Sequence, residues 1–285
     1  MRRRALVGLA ALVVAAAGAG VAVVGADAPR GPAPQAAPAA PAAPPEFRIR
    51  DARVSPRHAY FAGRPVAITF TVAAPQPLDL QLDVVSDRSD QPVRRLVIPA
   101  ATPGVAQRVE WDGVTGGGKV APDGGYRIRI RATADGRVRR GGSFDLHSHA
   151  YPIRGPHADR GAIGAFGVGR NGGRRHEGFD VNAPCGTPIV AARGGRVVRA
   201  GYDPVLYGNV VIIRGERTRR DYWYAHMKHA TRLRVGDEVR TGVRIGSIGD
   251  TGNARTIGCH LHFEIHSRGT PIDPAPELHA WDAWS

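Results

Sequence analysis

The sequence predicts a mainly β chain, built in two parts behind an N-terminal leader. Short alternating apolar runs recur from Phe47 onward. Leu78, Leu80, Leu82 and Val84, for example, alternate with Asp79, Gln81 and Asp83, and a two-residue period marks a half-buried strand. Turn signals rich in Gly and Pro separate the runs, Pro122-Asp123-Gly124-Gly125 among them. In the C-terminal half no stretch sustains a helical period. At 285 residues the chain can hold two domains of about 100–130 residues each.

The leader comes first. Arg2, Arg3 and Arg4 precede an apolar run from Ala5 to Val24, the pattern of a basic n-region and an h-region. Val24-Gly25-Ala26 offers a small-residue cleavage site before Asp27. A run of about 20 residues also suffices to span a bilayer, so residues 1–26 read as a signal peptide or a retained signal-anchor. Either reading places everything after Asp27 outside the cytoplasm, secreted or anchored to the membrane facing the wall. Residues 27–46 read as an Ala/Pro-rich linker, and its stretch from Ala28 to Pro45, unable to bury a core, is expected to be a semi-rigid spacer reaching roughly 55 Å.

Residues 47–147 read as an all-β sandwich. The expected strands are Val66 to Val72, Leu78 to Val84, Val109 to Trp111 and Tyr126 to Ala132. Arg127, Arg129 and Arg131 line the outer face of the last strand, either solvated or set against an anionic surface. The stretch Val109-Glu110-Trp111-Asp112-Gly113 through Pro122-Asp123-Gly124-Gly125-Tyr126 resembles the immunoglobulin-like domain of flagellar hook-capping proteins. That resemblance implies a spacer or a protein-binding module without catalytic groups.

Residues 148–285 carry the chemistry. Ile189 to Ala192, Arg196 to Ala200, Asn209 to Arg214 and Tyr222 to His226 read as short strands. In His260-Leu261-His262-Phe263-Glu264-Ile265, alternation sets His260, His262 and Glu264 on one face and the apolar residues on a face that buries itself. Two imidazoles then stand about 7 Å apart. His176-Glu177-Gly178-Phe179-Asp180 adds a His and an Asp four residues apart, which share a face if the segment is a strand; Gly178, Asn182 and Pro184 argue against a helix there. Two imidazoles and one carboxylate suit zinc, whose catalytic sites keep three protein ligands and an open fourth place. Taken alone, HxH is usually chance or core lining, and the metal reading rests on both motifs occurring in one strand-rich segment. The HExxH spacing of helical zinc peptidases is absent.

The segment from Gly155 onward resembles the lysostaphin-type zinc metallopeptidases that cut peptidoglycan peptides. His176-Glu177-Gly178-Phe179-Asp180, Gly186-Thr187-Pro188-Ile189-Val190-Ala191-Ala192, Tyr207-Gly208-Asn209-Val210-Val211-Ile212 and Tyr224-Ala225-His226 carry the likeness. Val235-Gly236-Asp237-Glu238-Val239, Gly249-Asp250-Thr251-Gly252 and Cys259-His260-Leu261-His262-Phe263-Glu264 follow in the same order. The resemblance implies an antiparallel β metallopeptidase domain with a zinc groove. It implies one Zn2+ held by His176, Asp180 and His262, and catalytic roles for His226 and His260. His260 is the expected general base, and His226 orients water or stabilises the oxyanion, with the roles exchangeable. In some relatives an upstream residue blocks the zinc, for which Asn171 is the candidate, and the segment from His147 to Arg175 could fold over the groove.

Neighbouring residues have plainer readings. Glu264 is either a partner for a ligand imidazole or an ordinary loop-anchoring contact. His266 is expected past the strand end, His229 in a solvated loop, and Trp281 and Trp284 in packing. Gly208 and Gly252 mark tight turns or close backbone approach. Cys185 and Cys259 form an even pair in an oxidising compartment and are expected to bond; a nucleophilic Cys beside a His is the competing reading.

The net charge of +14 would suit nucleic acid, but no nucleic-acid-binding motif accompanies it, and no nucleic-acid partner is expected. The expected partners are peptidoglycan and the anionic polymers of a cell envelope. Three functions follow: a zinc endopeptidase of the wall, a cysteine-dependent wall hydrolase, and a non-hydrolytic cell-wall-binding or activator module.

Overall fold

A computed structural model describes residues 46–134 and 136–285. The leader and nearly all of the Ala/Pro spacer lie outside the described residues. Among those described, no helix is long and apolar enough to cross a membrane.

Eight strands make the first half: β1 (Arg48–Ser55), β2 (His58–Tyr60), β3 (Val66–Ala73), β4 (Leu78–Ser86), β5 (Pro92–Ala101), β6 (Ala106–Trp111), β7 (Gly124–Ala132) and β8 (Val138–His147). They form a three-stranded sheet, β1-β3-β6, and a five-stranded sheet, β2-β8-β7-β4-β5. The two-residue period of β3, β4 and β7 aims Ile68, Phe70, Leu80, Leu82, Ile128 and Ile130 into one shared core. Trp111, Tyr126 and Phe144 cluster in it with ring centroids 5.5–5.7 Å apart, Tyr126 stacked on Phe144 and Trp111 meeting both at steep angles. The arginines of β7 lie on its outer, partly exposed face, as expected. β7 lies between β4 and β8, and Arg127 pairs with Asp87 and Asp90 while Arg129 pairs with Asp90. Two of the three arginines therefore have acidic neighbours on the sandwich surface.

The second half contains β9 (Ala158–Asp159), β10 (Phe179–Asn182), β11 (Pro188–Val190), β12 (Gly195–Asp203), β13 (Gly208–Gly215), β14 (Arg220–Met227), β15 (Glu238–Val239), β16 (Arg244–Ser247), β17 (His260–Ser267) and β18 (Thr270–Ile272). One large antiparallel sheet runs β15-β12-β13-β14-β17-β10-β9, with β18 on β17, and β11 pairs separately with β16. Val181, Val211, Ile213, Tyr222, Tyr224, Leu261, Phe263 and Ile265 fill the core beneath the large sheet. The chain ends in a helix absent from the sequence expectation, α1 (Ala275–Asp282), which buries Leu278 and Trp281. It is two turns long, opens at Ala275 with Pro276 in its first turn, and is too short to present a helical period.

The halves are locked together. Thr241 donates through Oγ1 to the carbonyl of Phe61 (2.5 Å) and through its backbone N–H to Ala62 (2.9 Å). The buried Arg193 stacks its guanidinium 4.2 Å from the Phe61 ring and donates to the carbonyls of Ser148 and Glu216. A cation desolvated in this way needs those acceptors and that ring face, so the junction fixes the sandwich against the sheet that bears the histidines.

Candidate metal and catalytic centre

The register of two paired strands builds the centre. Asp180 on β10 stands opposite His262 on β17, and Asn182 stands opposite His260. Directly opposed residues share a face, so the carboxylate and the His262 imidazole meet with His262 Nδ1 2.9 Å from Asp180 Oδ1. His176 arrives differently from the expectation, since it lies in the turn before β10 rather than on the strand. A hairpin positions it instead: Gly167 N–H donates to the carbonyl of His176 and His176 N–H to that of Val168, both at 2.8 Å. Its Nε2 then lies 3.1 Å from Asp180 Oδ1 and 2.9 Å from His262 Nδ1. Gly178 lets the turn close, because a Cβ there would sit 2.5 Å from the carbonyl oxygen of Phe263.

The donor set fits a zinc-type cation. Ligand atoms of His176, Asp180 and His262 lie within 4.8 Å of one another, and all three residues are buried. Each imidazole is held by its far nitrogen, as ligand histidines require. His176 Nδ1 donates to the carbonyl of Ala165 (2.8 Å), and His262 Nε2 donates to Glu264 Oε1 (2.7 Å). Glu264 thus resolves as the partner of a candidate ligand. It is 1 % exposed, and its other oxygen accepts from His266 Nε2 at 2.6 Å. His266 lies inside β17, not past its end, and stacks on Trp223 with centroids 4.7 Å apart. Both faces of β17 are therefore buried through Ile265.

The charges follow this geometry. Burial would raise the Asp180 carboxyl, yet hydrogen bonds from His176 and His262 hold it far below its usual range. Burial likewise opposes charge on His262, but bonds to Asp180 and Glu264 prevail and raise it to about 9. Glu264 falls to about 2 against its own desolvation, through His262 and His266.

His226 and His260 form the other wall, with ring centroids 4.8 Å apart. Strict alternation would send His226 away from the site, since its neighbour Ala225 is the residue opposite His262. A left-handed backbone at His226, φ 56°, beside a register shift between β13 and β14, swings its ring to the site. Backbone strain of this kind clusters at functional positions. His226 Nδ1 donates to the carbonyl of Thr251 and His260 Nδ1 to that of Gly258, both at 2.8 Å. Both Nε2 atoms therefore keep free lone pairs, and His260 Nε2 lies 3.9 Å from Asp180 Oδ1. Burial pushes His226 down to about 3 and lowers His260 as well, so both rings are neutral at neutral pH.

These groups line a cleft of about 640 Å³ together with Leu206, Tyr207, Asn253, Thr256 and Ile257. Gly208 and Gly252 serve the close approach of the two lining loops, since a Cβ on Gly208 would sit 2.3 Å from Thr251 Oγ1. Asn171 is exposed in a 3-10 turn on the cleft rim, and the side chain that reaches Asp180 is its neighbour's, with Arg170 Nη2 3.5 Å from Oδ2. His229 is exposed, while Trp281 packs on His149 and Trp284 on His147. Cys185 and Cys259 are bonded, Sγ to Sγ 2.06 Å, tying the loop after β10 to the start of β17. Neither thiol is then free to act as a nucleophile, which sets aside the cysteine-hydrolase reading.

Known proteins resemble this half of the chain. The Cell division protein DipM of Caulobacter vibrioides is 31% identical over 135 residues, 44% of this chain and 20% of DipM. The Murein hydrolase activator NlpD of Escherichia coli is 36% identical over 113 residues, 39% of this chain and 27% of NlpD. The chain thus spans about a fifth of the one and about a quarter of the other. Among solved structures, the catalytic domain of lysostaphin from Staphylococcus simulans is 31% identical, with a TM-score of 0.36, and the match covers 47% of this chain and 92% of that domain. Residues 174–274 match the model of Peptidase family M23, so the chain carries a lysostaphin-type M23 domain over that segment.

Proposed function

We propose that this chain is a zinc-dependent endopeptidase that hydrolyses peptide bonds of peptidoglycan stems or cross-links. The reading rests on one observation above all: His176 from the hairpin before β10, Asp180 from β10, His226 from β14, and His260 and His262 from β17 converge on a single cleft. His176, Asp180 and His262 would hold the metal. A zinc ion there supplies Lewis acidity towards a peptide carbonyl and lowers the pKa of its water towards about 7. His260, neutral and with Nε2 bare, takes a proton at that atom and returns it to the leaving amine. His226, fixed by Thr251, orients water and, once protonated, donates to a developing oxyanion. Glu264 holds His262 in the tautomer that offers Nδ1.

In this reading the chain acts outside the cytoplasm, with peptidoglycan as substrate, anionic envelope polymers as further contacts, and the β-sandwich, read as immunoglobulin-like, as the surface for a protein partner. The test is digestion of purified peptidoglycan followed by mass spectrometry. The zinc-loaded protein should release muropeptides with new amino and carboxyl termini, and His260→Ala should release none. Equal release by the two proteins contradicts the reading. A non-hydrolytic activator is the second reading, favoured by the name of the Escherichia coli relative. Binding alone, however, requires neither the strained backbone of His226 nor the anchored ring of His260. Zinc occupancy without cleavage of any muropeptide would decide for the activator.

A further inference from the structure

We propose that the mouth of the cleft is a carboxylate-reading subsite, in which Arg170 and Arg174, flanked by Arg160 and Arg175, select a peptide bearing a free carboxylate beside the scissile amide. This rests on the endopeptidase reading and adds the chemistry of the preferred substrate. Three of the four guanidinium groups ride on the hairpin that ends at His176. The Gly169–Arg175 bridge and the Arg170 N–H to Arg174 carbonyl bond (2.8 Å) fix the backbone of that hairpin, so these arginines are rooted beside His176. Arg160 enters from the other side, bonded to Asn182 Oδ1 and the carbonyl of Ile257, both at 3.2 Å.

The charge balance at the mouth is one-sided. Four arginines line the cleft with three carboxylates, Glu177, Asp180 and Glu264. Asp180 is taken by His176 and His262, and Glu264 by His262 and His266, which leaves only the exposed Glu177. Arg160, Arg174 and Arg175 meet no carboxylate among the described residues, unlike Arg196, Arg214 and Arg220 elsewhere on the same domain. Arg170 meets only Asp180, the carboxylate assigned to the metal. Arg160 and Arg175 are held by neutral acceptors, Arg175 by the carbonyl of Gly167 at 3.0 Å, and guanidinium groups that lack a carboxylate of their own in a partly enclosed cleft favour one through forked hydrogen bonds. The exposed Ile163 and Ile257 flank them as apolar lips, which suits small aliphatic residues next to the acidic one.

The test uses three synthetic cross-linked muropeptides: one with both the glutamyl and the diaminopimelyl carboxylates free, and one with each carboxylate amidated in turn. Zinc-loaded full-length protein should cut the free-acid peptide at least about tenfold faster in kcat/KM, about 1.4 kcal/mol, than one of the amides. The amide that suffers identifies the carboxylate being read. Arg174→Glu should bring that ratio to one or below, and Arg232→Glu, exposed and outside the cleft, should keep it. The Arg174 side chain is exposed and has no partner among the described residues, so its reversal should leave the melting temperature unmoved. The subsite is overturned if both amides are cut as fast as the free acid, or if Arg174→Glu retains the wild-type ratio. If no peptide is cut, the endopeptidase reading fails by itself. Fluorescence anisotropy of the same labelled peptides then decides the subsite, an equal affinity for acid and amides overturning it and a tenfold preference supporting it.

Discussion

Asp180 and His262 are opposite one another on paired strands, so two of the three candidate ligands depend on backbone register, while His176 depends on the hairpin before β10. Removing either should abolish zinc binding, and Asp180→Ala measured by metal analysis after dialysis should give less than a tenth of an equivalent. His260→Ala should behave differently, retaining its zinc while kcat/KM falls about 10²- to 10⁴-fold, the usual range for a lost acid–base group. Glu264→Gln keeps the shape but weakens the acceptor of His262 Nε2, and a ten- to hundredfold loss in zinc affinity is expected from competition against a chelator. The alternation of HxHxE made His260, His262 and Glu264 legible in the sequence. The position of His226 was not legible in this way: period-two logic points its ring to the wrong side, and only a left-handed residue corrects it. Family resemblance, not periodicity, was the signal that singled it out.

At the scale of elements, two loops close the cleft, and each carries a glycine that a methyl group would disturb. A Cβ at Gly252 would lie 2.4 Å from Gly208 N and from the carbonyl oxygen of Leu206. Gly252→Ala should therefore displace the loop that holds His226 Nδ1, cutting activity at least tenfold and lowering stability by about 1–3 kcal/mol in a denaturant melt. The disulfide spans a sequence separation of 74, and in the chain-entropy view its loss costs about 4 kcal/mol. Cys185→Ser with Cys259→Ser should show a loss of that order, whereas a change below about 1 kcal/mol would mean that the bond contributes little. The strong strands, β3, β4, β7 and β17, were readable because one clear face of each is apolar. β5 and β8 were not. β5 is an edge strand with exposed residues and Pro at positions 92 and 99, and β8 contains Gly141, where a Cβ would lie 2.6 Å from Ile128 Cγ2. Close packing demanded a residue that strand propensity disfavours. The hairpin before His176 gave no periodic signal either, since its order comes from backbone bonds among glycines and arginines.

For the whole molecule, the decisive feature is the junction around Arg193, Thr241 and His149. Arg193→Ala removes a buried cation from its acceptors and should lower stability by about 3 kcal/mol or more, while separating the melting of the two halves into resolvable steps. His149 stacks on Trp281, shares a 2.7 Å contact with the Tyr222 hydroxyl, and is driven by burial from 6.5 down to about 3. Between those values the unfolded chain binds the extra proton, so stability falls as pH drops from about 6.5 towards 3, by at most about 1.4 kcal/mol per pH unit for this one residue. His149→Gln should flatten the dependence of melting temperature on pH across that window, and an unchanged slope would remove His149 from the account. The central claim is that one cation, held by His176, Asp180 and His262, makes this cleft a peptide hydrolase. The most direct measurement is a zinc titration of chelator-stripped protein with muropeptide cleavage as readout. Activity should be absent without metal, rise with added zinc and saturate at one ion per chain; full cleavage by stripped protein, or none after one equivalent has bound, would contradict it.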